Sequence, residues 1–302
     1  MQNYNNYPLS VHMPPQSLFI LHIEANSYYC RIAAFVVYFH CTDMKSFTLR
    51  LLAIVFFSLI PFLGNAVAHA AVSSKPKPQL SHNELLVVVN KGWDSLQGTL
   101  YAFKKQHHHW VLQFSNPIVL GSKGLGLGDG VVQLRLPGAP VKHEGDKKSP
   151  AGIFTIGTAF GYADKKDAAW IKNRYVQAFD TLICVDDPQS VNYNKLVDKD
   201  TARHDYNSFE HMHLKDDAYK WGLFLNHNSD KVVPGDGSCV FIHIWENDHT
   251  GTTGCTAMTE DNMLRLLRFI NAKDRPIMVQ LPIQSYLQIR KTYGLPELTD
   301  YK

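Results

Sequence analysis

The pattern of apolar and polar residues predicts a domain built mainly from β-strands. Runs that alternate apolar with polar residues, or that cluster β-branched residues, recur along the later part of the chain. Turns rich in glycine and proline separate them. The first run is expected to lead into a hairpin. The predicted strand segments are 84–93, 98–121, 149–161, 220–228, 238–245 and 275–282.

Two segments have a helical pattern instead. Segment 259–272 starts at Thr259, a good N-cap residue, continues with the acids Glu260 and Asp261, and has apolar residues at helical spacing. Segment 208–222 is a weaker helix candidate. The sequence therefore predicts a mostly β fold with one or two helices.

A targeting signal precedes the strands. From Met44 the chain has the basic residues Lys45 and Arg50, an apolar run over 51–63, and an Ala-His-Ala site that ends at Ala70. This order is typical of a secretory signal peptide. The apolar run is shorter than the roughly 20 residues that span a bilayer, so we expect no stable membrane span after cleavage. The expected location is the periplasm or cell envelope.

These features predict how the chain is divided. The residues before Met44 have no clear pattern and are interpreted as a mis-assigned extension. The predicted segments are 1–43 (extension), 44–70 (signal peptide), 71–82 (linker), 83–282 (folded domain) and 283–302 (C-terminal tail).

Composition adds few restrictions. The 302 residues are 45% apolar and 19% charged, with a formal net charge of +3. These values fit an ordinary globular protein and do not predict nucleic-acid binding, which needs basic residues concentrated on one face.

Three cysteines follow the cleavage site, and an exported protein can join two of them in a disulfide. They are Cys184, Cys239 and Cys255. Sequence alone does not assign the pair, although the surroundings favour Cys184–Cys239 and leave Cys255 free. A bridge between Cys239 and Cys255 would exclude Cys255 as a nucleophile.

The segment from His243 to Cys255 is the best candidate for chemistry. A cysteine needs a nearby base, because the free thiol is mostly protonated at neutral pH. His243 on its strand would be that base, and Gly254 permits a sharp turn at Cys255. The amides of Thr253, Gly254 and Cys255 would bind an oxyanion. The start of the following helix is expected to add positive potential.

The remaining histidines give weaker signals. His107–His109 are placed in a strand or loop exposed to water, where they cannot converge on a metal. The segment 210–213 could ligate zinc only with a further ligand, so no metal or cofactor is predicted. Glu210, His213 and His249 are candidates for substrate contact.

Three stretches together resemble the L,D-transpeptidase catalytic domain family (YkuD-like) of bacterial cell-wall enzymes. They are "EGDKKSPAGIFTIG", "HIWENDHTGTTGCTAM" and "PIMVQLP", and the resemblance covers about 84–282. It implies a β-rich, sandwich-like catalytic domain with Cys255 as nucleophile and His243 as base. The carbonyl of Ile244 would orient the imidazole, and Thr253, Gly254 and Cys255 would form the oxyanion hole. The turn with Lys142, Glu144, Gly145 and Asp146 matches the family and is interpreted as structural.

The implied reaction is attack on a peptide bond of a peptidoglycan stem, which forms a thioester. The acyl group then passes to an amine of a neighbouring stem or of a lipoprotein, or to water. Family members usually carry histidine where this chain has Thr253, and a basic or amide residue where it has Ala257. The histidine-to-cysteine loop is also shorter than usual. A hydrolase with the same chemistry and an inactive cell-wall binding module therefore stay as alternatives.

Overall fold

The computed structural model describes residues 82–298. The extension, the signal peptide and nearly all of the linker predicted before residue 82 lie outside these residues, as does segment 299–302. Within the described part, no helix is long and apolar enough to cross a membrane.

The described chain is mostly strands with two α-helices, so the predicted fold class is confirmed. A single 3-10 turn at Ala272–Asp274 precedes the last strand. The strands are β1 (Glu84–Asn90), β2 (Gln97–Gln106), β3 (His109–Val119), β4 (Leu125–Leu127), β5 (Ser149–Gly161), β6 (Tyr175–Gln177), β7 (Leu182–Val185), β8 (Lys195–Asp198), β9 (Phe209–His211), β10 (Trp221–Leu225), β11 (Phe241–Ile244), β12 (Thr256–Met258) and β13 (Ile277–Pro282); the helices are α1 (Glu260–Phe269) and α2 (Ile283–Tyr293).

Eight strands close into a ring. The path runs β5–β10–β11–β12–β3–β2–β1–β13 and returns to β5, while β4 and β6 attach to β5 outside the ring. Closure pairs both sides of each ring strand, which removes the exposed edges of an open sheet. The two strands that frame the candidate site, β11 and β12, are neighbours in this ring and run parallel.

Strand β1 lies at the centre of the core. All seven of its residues are buried, and it pairs with β2 on one side and β13 on the other. Burial on both faces explains why its sequence is continuously apolar rather than alternating. Its one charged residue, Glu84, is paired with Lys104 at 3.2 Å.

The hairpin between β2 and β3 turns at two histidines. His107 and His108 have φ values of 46° and 69°, and Gln106 pairs with His109 across the turn. Positive φ at both central residues is the geometry of a two-residue hairpin turn. His107 and His108 therefore lie in an exposed turn, the loop alternative of the prediction, while exposed His109 begins β3.

The predicted helix after Thr259 is confirmed as α1. The Thr259 side chain accepts a hydrogen bond from the amide of Asn262 at 3.3 Å, and Met263, Leu266 and Leu267 are buried. The helix is shorter than predicted, because the chain turns to an extended conformation at Ile270.

The second predicted helix, 208–222, is wrong. Phe209–His211 forms β9, which pairs with β7, and Trp221 begins β10. Helix propensity is a weak preference that pairing with a buried strand overrides.

The structure also corrects the predicted tail. Its first part is helix α2, in which Tyr286 is fully buried and Ile289 is nearly so.

A small second sheet is joined to the ring by a disulfide. It has the strand order β8–β7–β9. Cys184 of β7 is bonded to Cys239, which lies two residues before β11, and the two Cα atoms are 5.9 Å apart. This is the pairing that the sequence favours, and Cys255 is a free buried thiol. The bond attaches the small sheet beside the strand that carries His243.

Candidate active site

The turn before Cys255 is held through its carbonyl group. The hydroxyls of Ser149 and Thr252 both donate to the carbonyl oxygen of Cys255, at 2.7 and 2.6 Å. Gly254 has a φ of 152°, and a Cβ there would lie 3.2 Å from the carbonyl oxygen of Lys148. Only glycine adopts such a conformation readily. Hydrogen bonds to the backbone carbonyl of Cys255 therefore hold the turn, and they do not involve the cysteine side chain.

The three stretches that carry the family resemblance meet behind this turn. Ser149 belongs to the first stretch and contacts Cys255 of the second. Gln280 of the third accepts a hydrogen bond from Thr256 at 2.8 Å and donates one to the carbonyl oxygen of Pro150 at 2.8 Å. Residues far apart in sequence therefore form one buried polar support for the cysteine.

His243 projects to the same side of the ring as Cys255. In the parallel pair, His243 is opposite Ala257 and Ile242 is opposite Thr256, so the same register places Cys255 beside Phe241. Residues two apart on a strand share a face. His243 and Cys255 are thus neighbours on one face, while Ile242 and Ile244 face the main core.

A backbone hydrogen bond orients the imidazole. Nδ1 of His243 lies 2.8 Å from the carbonyl oxygen of Ile244. A carbonyl can only accept, so Nδ1 carries the proton and Nε2 of the neutral ring is an acceptor. The edge of Tyr219 packs against the same ring, with centroids 5.2 Å apart and planes at 80°.

The resting pair is neutral. Burial lowers the pKa of His243 to about 4, although the bond to Ile244 and the nearby Asp216 act in the opposite direction. Burial also raises the pKa of the Cys255 thiol well above its usual range, and the charge of Glu210 adds to this effect. At neutral pH the thiol keeps its proton and the imidazole can accept it. The thiol contacts backbone groups, the amide of Phe241 at 3.3 Å and the carbonyl oxygen of Cys239 at 3.8 Å.

Two of the three predicted oxyanion donors are available. The amides of Thr253 and Cys255 donate to no other group within residues 82–298, whereas the amide of Gly254 donates to the Thr252 hydroxyl at 3.1 Å. Gly254 is therefore needed for the turn rather than as a donor. Helix α1 is not next to the thiol, because β12 separates them by roughly 10 Å at about 3.3 Å per residue. The effect of a helix dipole is largely confined to the first turn, so α1 adds little positive potential at the thiol.

A cavity of about 200 Å³ opens onto Cys255. One wall is formed by the turn with Thr253 and Gly254. Acidic side chains from two other places, the turn before β5 and the small sheet, also line the cavity. The residues that line the cavity are Lys142, Glu144, Gly145, Asp186, Glu210, Ser238, Cys239, Val240, Thr253, Gly254 and Cys255.

Several of these residues escape sequence reasoning. Glu144 accepts hydrogen bonds from Tyr193 at 2.6 Å and from Ser238 at 2.5 Å, and Lys142 forms an ion pair with Asp146 at 2.6 Å. The turn read as structural therefore also lines the cavity. The feature of the sequence that points to this turn is its match to the family motif.

Asp186 also lines the cavity and has no motif that would identify it. Its buried Oδ1 has no hydrogen-bond partner in the described part of the chain. It is positioned by the small sheet, whose place beside the cysteine the sequence does not reveal.

Of the three candidates for substrate contact, one lines the cavity and two do not. Glu210 lines the cavity, and its carboxylate accepts a short hydrogen bond from Tyr219. His213 stacks on Tyr162 and lies 3.2 Å from Asp180, and exposed His249 is paired with Asp248. Neither histidine lines this cavity. No three metal-binding side chains within residues 82–298 are grouped so as to hold an ion.

Comparison with known proteins agrees with this geometry. The chain matches the model of the L,D-transpeptidase catalytic domain family, YkuD, over residues 87–279. The match covers more than half of the chain, and the protein belongs to this family.

A solved structure of Bdellovibrio bacteriovorus Bd1075 is similar to 66% of this chain, with 10% sequence identity and a TM-score of 0.31. This chain spans 48% of the length of that structure. No curated protein matches the sequence.

Proposed function

We propose that this protein is an exported cysteine transpeptidase that cuts and rejoins the stem peptides of peptidoglycan. The observation that carries the proposal is the hydrogen bond from Nδ1 of His243 to the carbonyl of Ile244, which leaves Nε2 as a base on the face that holds the Cys255 thiol. Family membership supports an L,D-transpeptidase-type cysteine enzyme.

The proposed first step forms a thioester. Nε2 of His243 accepts the thiol proton as Cys255 Sγ attacks the carbonyl carbon of a stem peptide bond. The amides of Thr253 and Cys255 receive the developing negative charge. When the tetrahedral intermediate collapses, the C–N bond breaks and the imidazolium returns the proton to the leaving amine.

The second step transfers the acyl group. An amine of a neighbouring stem attacks the thioester, His243 accepts its proton, and the thiolate leaves and is protonated. A lipoprotein amine is a further proposed acceptor. Water in the same position would give hydrolysis by the same steps.

Intact mass after incubation with a tetrapeptide stem tests this proposal. We expect a covalent adduct on the wild type and none on Cys255→Ala, with His243→Gln much slower. Cross-linked dimers would identify a transpeptidase, whereas shortened stems alone would identify the hydrolase. If a folded wild type with a free thiol forms neither adduct nor product, a binding module is the better description.

Export is part of the proposal and has a separate test. The sequence pattern of a signal peptide that begins at Met44 supports it. We expect protein recovered from the cell envelope to begin at Ala71, as determined by N-terminal sequencing. An uncut N-terminus would contradict export by this signal.

A further inference from the structure

Glu210 is linked to both members of the catalytic pair. It lines the cavity together with Cys255, and its carboxylate accepts a short hydrogen bond from the hydroxyl of Tyr219. Tyr219 is only 4% exposed. A carboxylate that accepts from a buried phenol fixes the position of its ring.

The Tyr219 ring contacts both sides of the site. It lies edge-on to the imidazole of His243, with centroids 5.2 Å apart, and edge-on to Phe241 at 5.4 Å. The amide of Phe241 donates to the thiol of Cys255 at 3.3 Å. A shift of Tyr219 would therefore loosen the packing around the base and around the strand residue that contacts the nucleophile.

The small sheet places Glu210. In the β7–β9 pair, Glu210 is directly opposite Cys184, which is bonded to Cys239. The carbonyl of Cys239 in turn contacts the Cys255 thiol at 3.8 Å. The carboxylate thus belongs to a sheet that is covalently attached beside the active site.

From this geometry we infer that Glu210 is a positioning residue, which holds Tyr219 against His243 and so aligns the base with Cys255. The inference rests on the proposed function. It assigns a role in the reaction to the small sheet, and it identifies Glu210 as a group that acts through Tyr219 rather than on the substrate.

The same arrangement has a consequence for pH dependence. Tyr219 donates to the carboxylate of Glu210, and the titratable groups that line the cavity with it are Cys255, Asp186, Glu144 and Lys142. Burial raises the pKa of Glu210 to about 7, and the charges of Asp186 and Glu144 raise it further, against the Tyr219 hydrogen bond. Ionised Glu210 disfavours the thiolate of Cys255. Glu210→Gln keeps the acceptor oxygen and removes this charge.

Single-turnover acylation by a tetrapeptide stem tests the inference in two variants of Glu210. We expect Glu210→Ala to lower the maximal acylation rate at least tenfold, with less than a threefold change in the half-saturating stem concentration. Glu210→Gln should stay within threefold of the wild type at pH 6. The ratio of the wild-type rate to the Glu210→Gln rate should fall as the pH rises through 7.

A double variant separates this role from others. If Glu210 acts through Tyr219, Glu210→Ala combined with Tyr219→Phe should be no slower than the slower single variant, because the two changes remove one interaction. Additive losses, or a raised half-saturating concentration with an unchanged maximal rate, would instead make Glu210 a substrate contact and overturn the inference.

Two controls complete the experiment. Asp200→Asn removes an exposed carboxylate beside β8 and should leave acylation unchanged. A single cooperative thermal transition in wild type, Glu210→Ala and Glu210→Gln would show that each of them is folded. If the wild type itself forms no adduct, the proposed function fails. If the wild type reacts and Glu210→Ala reacts equally well, only the present inference fails.

Discussion

At the scale of single residues, both members of the candidate pair, the Cys255 thiol and the His243 imidazole, are uncharged at neutral pH. The thiol of Cys255 is buried among apolar side chains, and partial burial lowers the pKa of His243 to about 4, so its imidazole is neutral at pH 7. A preformed thiolate–imidazolium pair would need charges that this environment disfavours. A neutral pair is compatible with the proposed mechanism, in which His243 accepts the thiol proton during attack.

This neutrality predicts slow alkylation. We expect iodoacetamide to modify Cys255 at pH 7 at least tenfold more slowly than an unfolded control, because only the thiolate reacts and burial raises the thiol pKa. His243→Gln should change this rate by less than threefold, since the resting thiol is not ion-paired with the ring.

Mass spectrometry of time points measures the alkylation rate, and the urea-unfolded protein supplies the reference. Rapid alkylation of the native protein that is lost in His243→Gln would indicate a resting ion pair and contradict this description.

At the scale of elements, the ring and the small sheet contribute different parts of the candidate site. Strands β11 and β12 place His243 and Cys255 on one face by their register, and β5 and β13 supply the polar support beneath the turn. The small sheet adds Asp186 and Glu210 to the cavity and is attached by the Cys184–Cys239 bond.

Removal of the disulfide should therefore affect both stability and activity. The bond closes a loop with a sequence separation of 55 residues. For a loop of that length we expect Cys184→Ser combined with Cys239→Ser to lower the free energy of unfolding by about 4 kcal/mol. Acylation should also slow, because Glu210 lies opposite Cys184.

Urea unfolding with and without reductant measures the stability effect. Reduced wild type should match the double variant, and reductant should not change the double variant further. A double variant as stable and as active as the oxidised wild type would show that the bond does not hold the small sheet in place.

At the scale of the whole molecule, two titrations act on stability in opposite directions. His243 has a folded pKa of about 4, below the ordinary 6.5, so its unfavourable contribution grows as the pH falls from 6.5 to 4. Glu210 has a folded pKa of about 7, above the ordinary 4.5, so its unfavourable contribution grows as the pH rises from 4.5 to 7. The two slopes overlap and partly cancel.

Single variants should reveal each slope. Relative to wild type, His243→Gln should become more stable as the pH falls from 6.5 to 4, and Glu210→Gln should become more stable as the pH rises from 4.5 to 7. At about 1.4 kcal/mol per pKa unit, each pKa difference of about 2.5 corresponds to about 3.5 kcal/mol, and we expect relative changes of about 2 to 3 kcal/mol because both side chains are only partly buried. Urea unfolding across this pH range measures both, and parallel curves for all three proteins would contradict the assigned pKa values.

The sequence by itself determined the parts of this protein that depend on local pattern. Alternating or continuously apolar runs predicted seven of the eight ring strands, all except β12, and Thr259 predicted the start of α1. The short segment from His243 to Cys255 supplied the proposed base and nucleophile. These features depend on periodicity and on neighbours along the chain. The same reasoning failed for 208–222 and for α2, because pairing with β7 and burial of Tyr286 depend on residues distant in sequence.

Only the tertiary structure decided how the distant pieces meet. Closure of the ring, the position of the small sheet and the contact between Glu210 and Tyr219 have no signal along the chain. The same holds for the amide of Gly254, which donates to Thr252 instead of remaining available to a substrate. Each depends on geometry between segments that become neighbours only when the core forms, and a linear pattern does not record that geometry.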